Sequence, residues 1–336
     1  MKPRRSRHWR TPYFWAGIAL SIACLALVFR QVDLAETWRI IALADYRLIL
    51  LATLNIVVVL LAKTARWRLL FYPAQANQDY SSLLSALTAG VFINFALPLR
   101  FGDLVRMYLA GLGDTGLLHA LGTVAVEKLL DAIALAVMLL VLLPTIGLPA
   151  WLLQPAWTMA ALALLGLVSA MAFRSRFLRL LQVIETRVPL IARLKASDRA
   201  RRVLDSLDPL SRGSVLLRLG AWTLLIWCLS FLTHYFLLRS MGLNVSLVTP
   251  LLLHTVLQAG IAVPSSPAKL GVFHGLCVWA LSLSQIVGAT AAGYSILLYF
   301  VVWMPPSILG TIFLWRSGRT LELLRRAAGD SGSDRT

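Results

Sequence analysis

NFALPLRFGDLVRMYL, residues 94 to 109, interrupts a chain whose apolar runs are otherwise long. The run stops at Pro98, and Arg100, Asp103 and Arg106 follow in quick succession. Proline lacks an N–H and its ring clashes with the preceding turn, so a helix reaching Pro98 must break there. The meaning of the break depends on the solvent around it.

That solvent is a bilayer. The chain has 336 residues, of which 59% are hydrophobic and only 14% charged, and its mean hydropathy is +0.76. Such a composition lies outside the range of soluble domains. Several stretches reach the roughly 20 apolar residues needed to cross a ~30 Å hydrocarbon core, and no alternating barrel pattern is visible. The expected fold is an all-α integral membrane protein with about six full transmembrane helices plus two Pro-broken re-entrant segments in an inverted repeat. Cys24, Cys228 and Cys277 lie in apolar runs without pairing or metal-ligand spacing, and read as small packed hydrophobes.

A net charge of +17 could suggest nucleic acid, but the distribution of charge fits topology instead. Basic residues gather at Lys2 to Arg10, at Arg174 to Arg218, and at Arg316 to Arg326. Placing all three on the cytoplasmic side requires an even number of crossings between them. Spans at 13–30, 47–66, 117–143, 154–173, 219–239 and 293–315 meet that condition if 81–97 and 247–263 enter and turn back. The first span follows a basic start without a small-residue cleavage site, so it reads as a retained signal anchor. Residues 1–150 form a first half-repeat, 151–318 a second that includes the basic segment 174–218, and 319–336 a cytoplasmic tail. The 174–218 segment is either amphipathic helix lying on anionic lipid at the inner leaflet or an ordinary basic loop.

The second break resembles the first. FALPLRFGDLVR (95–106) and IAVPSSPAKLGVFH (261–274) each carry an apolar run, a proline, polar or basic residues, a glycine and resumed apolar chain. Paired breaks in oppositely oriented halves point to a transporter binding site, since irregular backbone at membrane depth must be buried in protein or line a wet cavity. The alternative is a pair of structural kinks.

A helix restarting near Arg100 would aim free amides and its positive end at the place where Arg100 and Arg106 converge, with Gly102 allowing close approach. That suits a phosphate or another acidic head group. Against this stands a simple pairing of Asp103 with Arg100 or Arg106 at the membrane interface. Glu127 and Asp131, four apart on one helical face beside Lys128, could be acid and base, a cation or proton site, or counter-ions to Arg66, Arg100 or Arg106. No nucleophile stands with a base and no metal spacing appears, so counter-ions are preferred and neither catalysis, metal nor cofactor is expected. In the second half, Lys269 offers another cation, His254 and Gln258 lie four apart, and His274 is either a hydrogen-bonding wall or a pH switch. GLGDTG (111–116) matches a dinucleotide pattern but has no strand before it, and reads as a turn.

At these residues the chain resembles the flippase-like membrane domain of lysylphosphatidylglycerol synthases. The likeness runs through LLAKTARWRLLF (60–71), NFALPLRFGDLVRMYLAG (94–111), VEKLLDAIAL (126–135) and VPSSPAKLGVFHGLCVWAL (263–281). It matches the family's L-R-W-R pattern at Arg66 and Trp67, its P-x-x-x-G-[DE]-x-x-R motif at Pro98, Gly102, Asp103 and Arg106, and its E-[RK]-x-x-D motif at Glu127 and Asp131. A fourth motif is matched at Pro264, Pro267 and Gly271, while Ala268 and Lys269 replace a glycine pair and His274 replaces a glutamate. The candidate substrate-binding set is therefore Arg66, Asn94, Pro98, Arg100, Gly102, Asp103, Arg106, Glu127, Asp131, Pro264, Pro267, Lys269, Gly271 and His274.

The resemblance implies a flippase or transporter that moves a lipid with a charged or polar head between leaflets. The other readings are a lipid-binding scaffold for a synthesis pathway and a transporter of a small soluble anion. The synthases' soluble aminoacyl-transfer domain is not expected after the last span, and the chain is not expected to be an enzyme. Expected partners are a membrane lipid with an anionic or glycosylated head, anionic lipid at the cytoplasmic surface and a pathway synthase, with no nucleic acid. The expected location is a bacterial inner (cytoplasmic) membrane with both termini cytoplasmic.

Overall fold

The computed structural model describes residues 32–73, 77–96, 101–112, 116–145, 150–187, 195–260 and 270–316. The regular structure of these residues is all helix, with no strand among them. In chain order the helices are α1 (Leu34–Ala42), α2 (Tyr46–Leu69), α3 (Tyr80–Ala96), α4 (Phe101–Gly111), α5 (Leu117–Leu142), α6 (Ala150–Ala172), α7 (Arg174–Arg187) and α8 (Ala196–Leu204). A single 3-10 turn leads to α9 (Asp208–Ser211), α10 (Gly213–Ser240), α11 (Val248–Gly260), α12 (Leu270–Ser282) and α13 (Gly288–Arg316).

Among the described residues three helices are long and apolar enough to cross a membrane: α2, α10 and the Gly288–Phe313 portion of α13. A fourth span results if the bent pair Trp157–Ala172 and Arg174–Arg187 is taken as one. Helix α2 alone, at 24 residues, is about 36 Å long, enough for the hydrocarbon core. Helix α5 has the length, but Glu127, Lys128 and Asp131 fall in its middle. Such charges are tolerated at membrane depth only where they face protein or water. The expected first span, 13–30, lies outside the described residues, as do the tail and the centre of the GLGDTG turn.

Both breaks separate two short helices that pack on each other: α3 on α4 across 97–100, and α11 on α12 across 261–269. The gap residues themselves, including Pro98, Arg100, Pro264, Pro267 and Lys269, lie outside the described residues. Helix α4 resumes at Phe101, next to the expected restart at Arg100. At the α3–α4 crossing the backbones touch: a Cβ on Gly102 would land on the Gly90 carbonyl oxygen. Small residues are what permit so close an approach between helices.

Helices α2 and α10 pack along their length at the centre, α3 lies on α13, and α5 touches α11. The Asn55 side chain, donating to the Leu229 carbonyl at 2.6 Å and the Thr233 hydroxyl at 2.8 Å, ties α2 to α10. One large apolar cluster centres on Trp67, Phe71, Leu83 and Leu87, another on Leu237, Leu253, Cys277, Tyr294 and Leu298, and a small third joins Val59, Ala62 and Ile226.

Residues 174–218 are organised rather than loop-like in their described part. Helix α7 turns 68° away from α6. Arg174 at the bend pairs with Asp205 at 2.5 Å and with Asp208, while the Glu185 carboxylate accepts the amide and hydroxyl of Ser197. Helix α8 packs on α5, where Gly122 faces Ser206 with no room for a side chain. Helix α10 extends back to Gly213, beyond the expected start at 219, because Val215 and Leu219 bury one face of that turn.

Candidate functional site

The charges of α2, α4 and α5 meet at one place. Glu127 and Asp131 project from the same face of α5, one turn apart. Glu127 takes both ends of the Arg106 guanidinium from α4, one of them at 2.9 Å, and both side chains are almost wholly buried. Asp131 pairs with Arg66 of α2 at 2.7 Å, and the same Arg66 Nη1 donates to Thr223 Oγ1 of α10 at 3.2 Å. The Arg106 guanidinium also lies over the Trp67 ring, 3.7 Å from its centre. Trp67 is held in turn by donating from Nε1 to Thr123 Oγ1 of α5 at 3.1 Å.

A bidentate arginine–carboxylate pair flanked by an aromatic face compensates charge about as fully as side chains can. Even so, Arg66 Nε and Nη2 and Arg106 Nε are buried without a hydrogen-bond partner among the described residues. Burial of three donor nitrogens of this kind carries an energetic penalty.

The start of α4 has its own network. Asn94, at the end of α3, accepts the Gly102 amide on Oδ1 at 2.8 Å and donates from Nδ2 to Asp103 Oδ1 at 3.2 Å. Asn94 therefore satisfies an orphan amide of the first turn of α4 from the opposite arm of the hairpin. Asp103 lies 3.8 Å from Lys128 of α5, and not against Arg106.

Beside this cluster a partly open cavity of about 210 Å³ lies between the two halves of the chain. Lys63 and Asp131 line one side, with Ile56 and Leu60. Trp227, Ser230 and His234 of α10, His254 and Gln258 of α11, and Trp303 of α13 line the rest. His234 Nδ1 is 3.0 Å from the Tyr294 hydroxyl, and the His254 ring stands edge-on to Trp227 with centres 4.8 Å apart.

The structure thus brings together Arg66, Asn94, Gly102, Asp103, Arg106, Glu127 and Asp131 from the sequence-derived set. Gly271 and His274 sit elsewhere, on α12: His274 Nδ1 is 3.0 Å from Ser295 Oγ of α13, and its ring packs on Tyr299. That is the environment of a hydrogen-bonding wall residue. Sequence reasoning missed Lys63, which lies one turn before Arg66 in an otherwise apolar run. A lone cation inside a span was the available signal. It also noted His254 and Gln258 without placing them in the site.

With this geometry in view, the family model for the lysylphosphatidylglycerol synthase TM region matches residues 14–310. The chain belongs to that family. Membership points to an integral membrane protein with a function connected to membrane lipids. No curated protein and no solved structure matches the chain.

Proposed function

We propose that this member of the family is a transporter, not an enzyme, and that it moves a lipid with a charged or polar head group between leaflets. The head group occupies the cavity between the halves while the hydrocarbon chains stay in the bilayer. The observation that carries this reading is the cavity itself: α2, α3 and α5 of the first half and α10 to α13 of the second all contribute to its wall. At about 210 Å³ and partly open, the cavity is on the scale of a head group, and the hydrocarbon chains have the bilayer outside it.

The proposal includes an inverted repeat in which α2 to α5 correspond to α10 to α13. In support, α3 packs on α13 as α5 does on α11, and each half has a short-helix hairpin in second and third place. It also includes a cytoplasmic-membrane location with the basic segment 174–218 on the cytoplasmic side, in keeping with the positive-inside rule.

The test is head-group translocation of a labelled anionic lipid in proteoliposomes, with Ser230→Trp as the variant that fills the cavity. The expected result is translocation by the native protein and a fall to the protein-free rate in the variant. Lipid retention by the native protein without translocation would favour a lipid-binding scaffold, and uptake of a soluble anion without lipid dependence would favour the third reading.

A further inference from the structure

Among the described residues around the cavity the charges do not balance. Among the described residues of α2, α4 and α5 near the site, four are cationic (Lys63, Arg66, Arg106, Lys128) and three anionic (Asp103, Glu127, Asp131). Arg106 is committed to Glu127, Arg66 to Asp131, and Lys128 lies against Asp103. Lys63 makes no hydrogen bond or close ion pair of its own among the described residues; the Asp131 charge acts on it from the same wall, and its side chain lines the cavity.

The two arginines are poorly placed to take its role. Neither lines the cavity, and Arg66 is wholly buried, with Asp131 at the wall in front of it. An incoming anion would have to displace a paired carboxylate to reach either one, the buried Glu127 or the half-buried Asp131, leaving it uncompensated. Lys63 asks for no such exchange. Facing it, His234, His254, Gln258 and Ser230 contribute no permanent charge, only hydrogen-bonding groups.

We infer that Lys63 is the head-group seat of the proposed lipid transporter, and that the seat accepts a single negative charge: a phosphodiester rather than a phosphomonoester or diphosphate. The excess of one cation among the described residues sets the class. One phosphodiester neutralises Lys63, whereas a second negative charge would sit beside Asp131 without a partner. This inference rests on the lipid-transport reading above.

The experiment is native mass spectrometry of the full chain in detergent, titrated separately with phosphatidylglycerol, phosphatidic acid and phosphatidylcholine. These probes are an anionic phosphodiester, a phosphomonoester and a zwitterionic phosphodiester. Lys63→Met removes the charge and retains the side-chain bulk; Lys63→Arg restores the charge. The native protein is expected to prefer phosphatidylglycerol, Lys63→Met to lose about tenfold or more of that affinity, and Lys63→Arg to recover most of it.

Equal binding by the native protein and Lys63→Met would overturn the seat. A Lys63-dependent preference for phosphatidic acid would overturn the single-charge class. Either result can coexist with translocation in proteoliposomes, so failure here is distinguishable from failure of the transport reading. A native protein that shows no preference among the three lipids overturns the inference as well, and lack of translocation would then remove the reading beneath it.

Discussion

The two hairpins occupy matching places in the chain and are built of different chemistry. The described residues of α3 and α4 carry Asp103 and Arg106, and the hairpin abuts the carboxylates of α5. Those of α11 and α12 contain no Asp, Glu, Lys or Arg, and present His254, Gln258 and aromatic rings instead. Among the described residues, charge at membrane depth is therefore concentrated in one half, where every charge but that of Lys63 is paired. The other half supplies a neutral wall that an anion can leave without stranding a counter-ion. A site open to a charged ligand needs both kinds of surface: one to attract it, one that does not hold it.

The sharpest way to break this contrast is to remove one member of the Arg106–Glu127 pair. Arg106→Met or Glu127→Met leaves a buried charge unpaired, and each is expected to cost about 3–5 kcal/mol of stability. The double variant should lie much nearer the native protein, because an apolar pair of similar bulk strands nothing. Unfolding in detergent, followed for the four proteins as a double-mutant cycle, measures the difference. Additive losses would mean that the two side chains do not act as a pair.

The crossings inside the hairpins differ in the same graded way. A Cβ at Gly102 meets backbone, the Gly90 carbonyl oxygen and the Asn94 amide, whereas a Cβ at Gly260 meets the end of the Leu276 side chain. Backbone cannot step aside, so Gly102→Ala is expected to destabilise by about 1–3 kcal/mol. Leu276 can change rotamer, and Gly260→Ala should cost about 1 kcal/mol or less. The comparison is read from the two melting temperatures, and equal losses would show that the second crossing is as tight as the first.

How much of this was legible beforehand follows from what periodicity can and cannot encode. Helix α2 was expected at 47–66 and runs Tyr46–Leu69; α5 was expected at 117–143 and runs Leu117–Leu142. Long apolar runs between polar ends register hydrocarbon thickness directly. The start of α10 was set too late, because exposed Arg218 lowers the hydropathy of a turn whose other face is buried. Glu127 and Asp131 were readable as counter-ions by type and spacing. Which arginine each would choose was not, since that depends on how α2, α4 and α5 are rotated against one another. The same rotation turns Lys63 into the cavity, and the Arg174 clamp on Asp205 and Asp208 likewise joins residues distant in sequence.

The entrances to the hairpins give the smallest effect and a pH signature. Helix α11 is tied at its start to the turn after α12, through Thr249 Oγ1 and Ser284 Oγ at 3.0 Å, a neutral bond. Helix α3 instead begins at Asp79, whose carboxylate accepts the Ser82 amide at 2.8 Å and the Ser81 hydroxyl at 2.6 Å. Those hydrogen bonds hold the Asp79 carboxyl down at about 2, against roughly 3.9 in an unfolded chain. A lowered folded-state value means that the stabilisation is complete above the unfolded value and lost as pH falls through the folded one. The cap is exposed, so solvent screening keeps it small, and Asp79→Ala should cost about 0.5–1 kcal/mol at neutral pH. The gap between native and variant stability should stay constant from pH 7 to about 4 and close between about 4 and 2. Thr249→Val, lacking any titrating group, should show a gap that does not change over the same range. If the Asp79 gap is equally flat, the carboxylate is not the capping group, and the two entrances differ only in sequence.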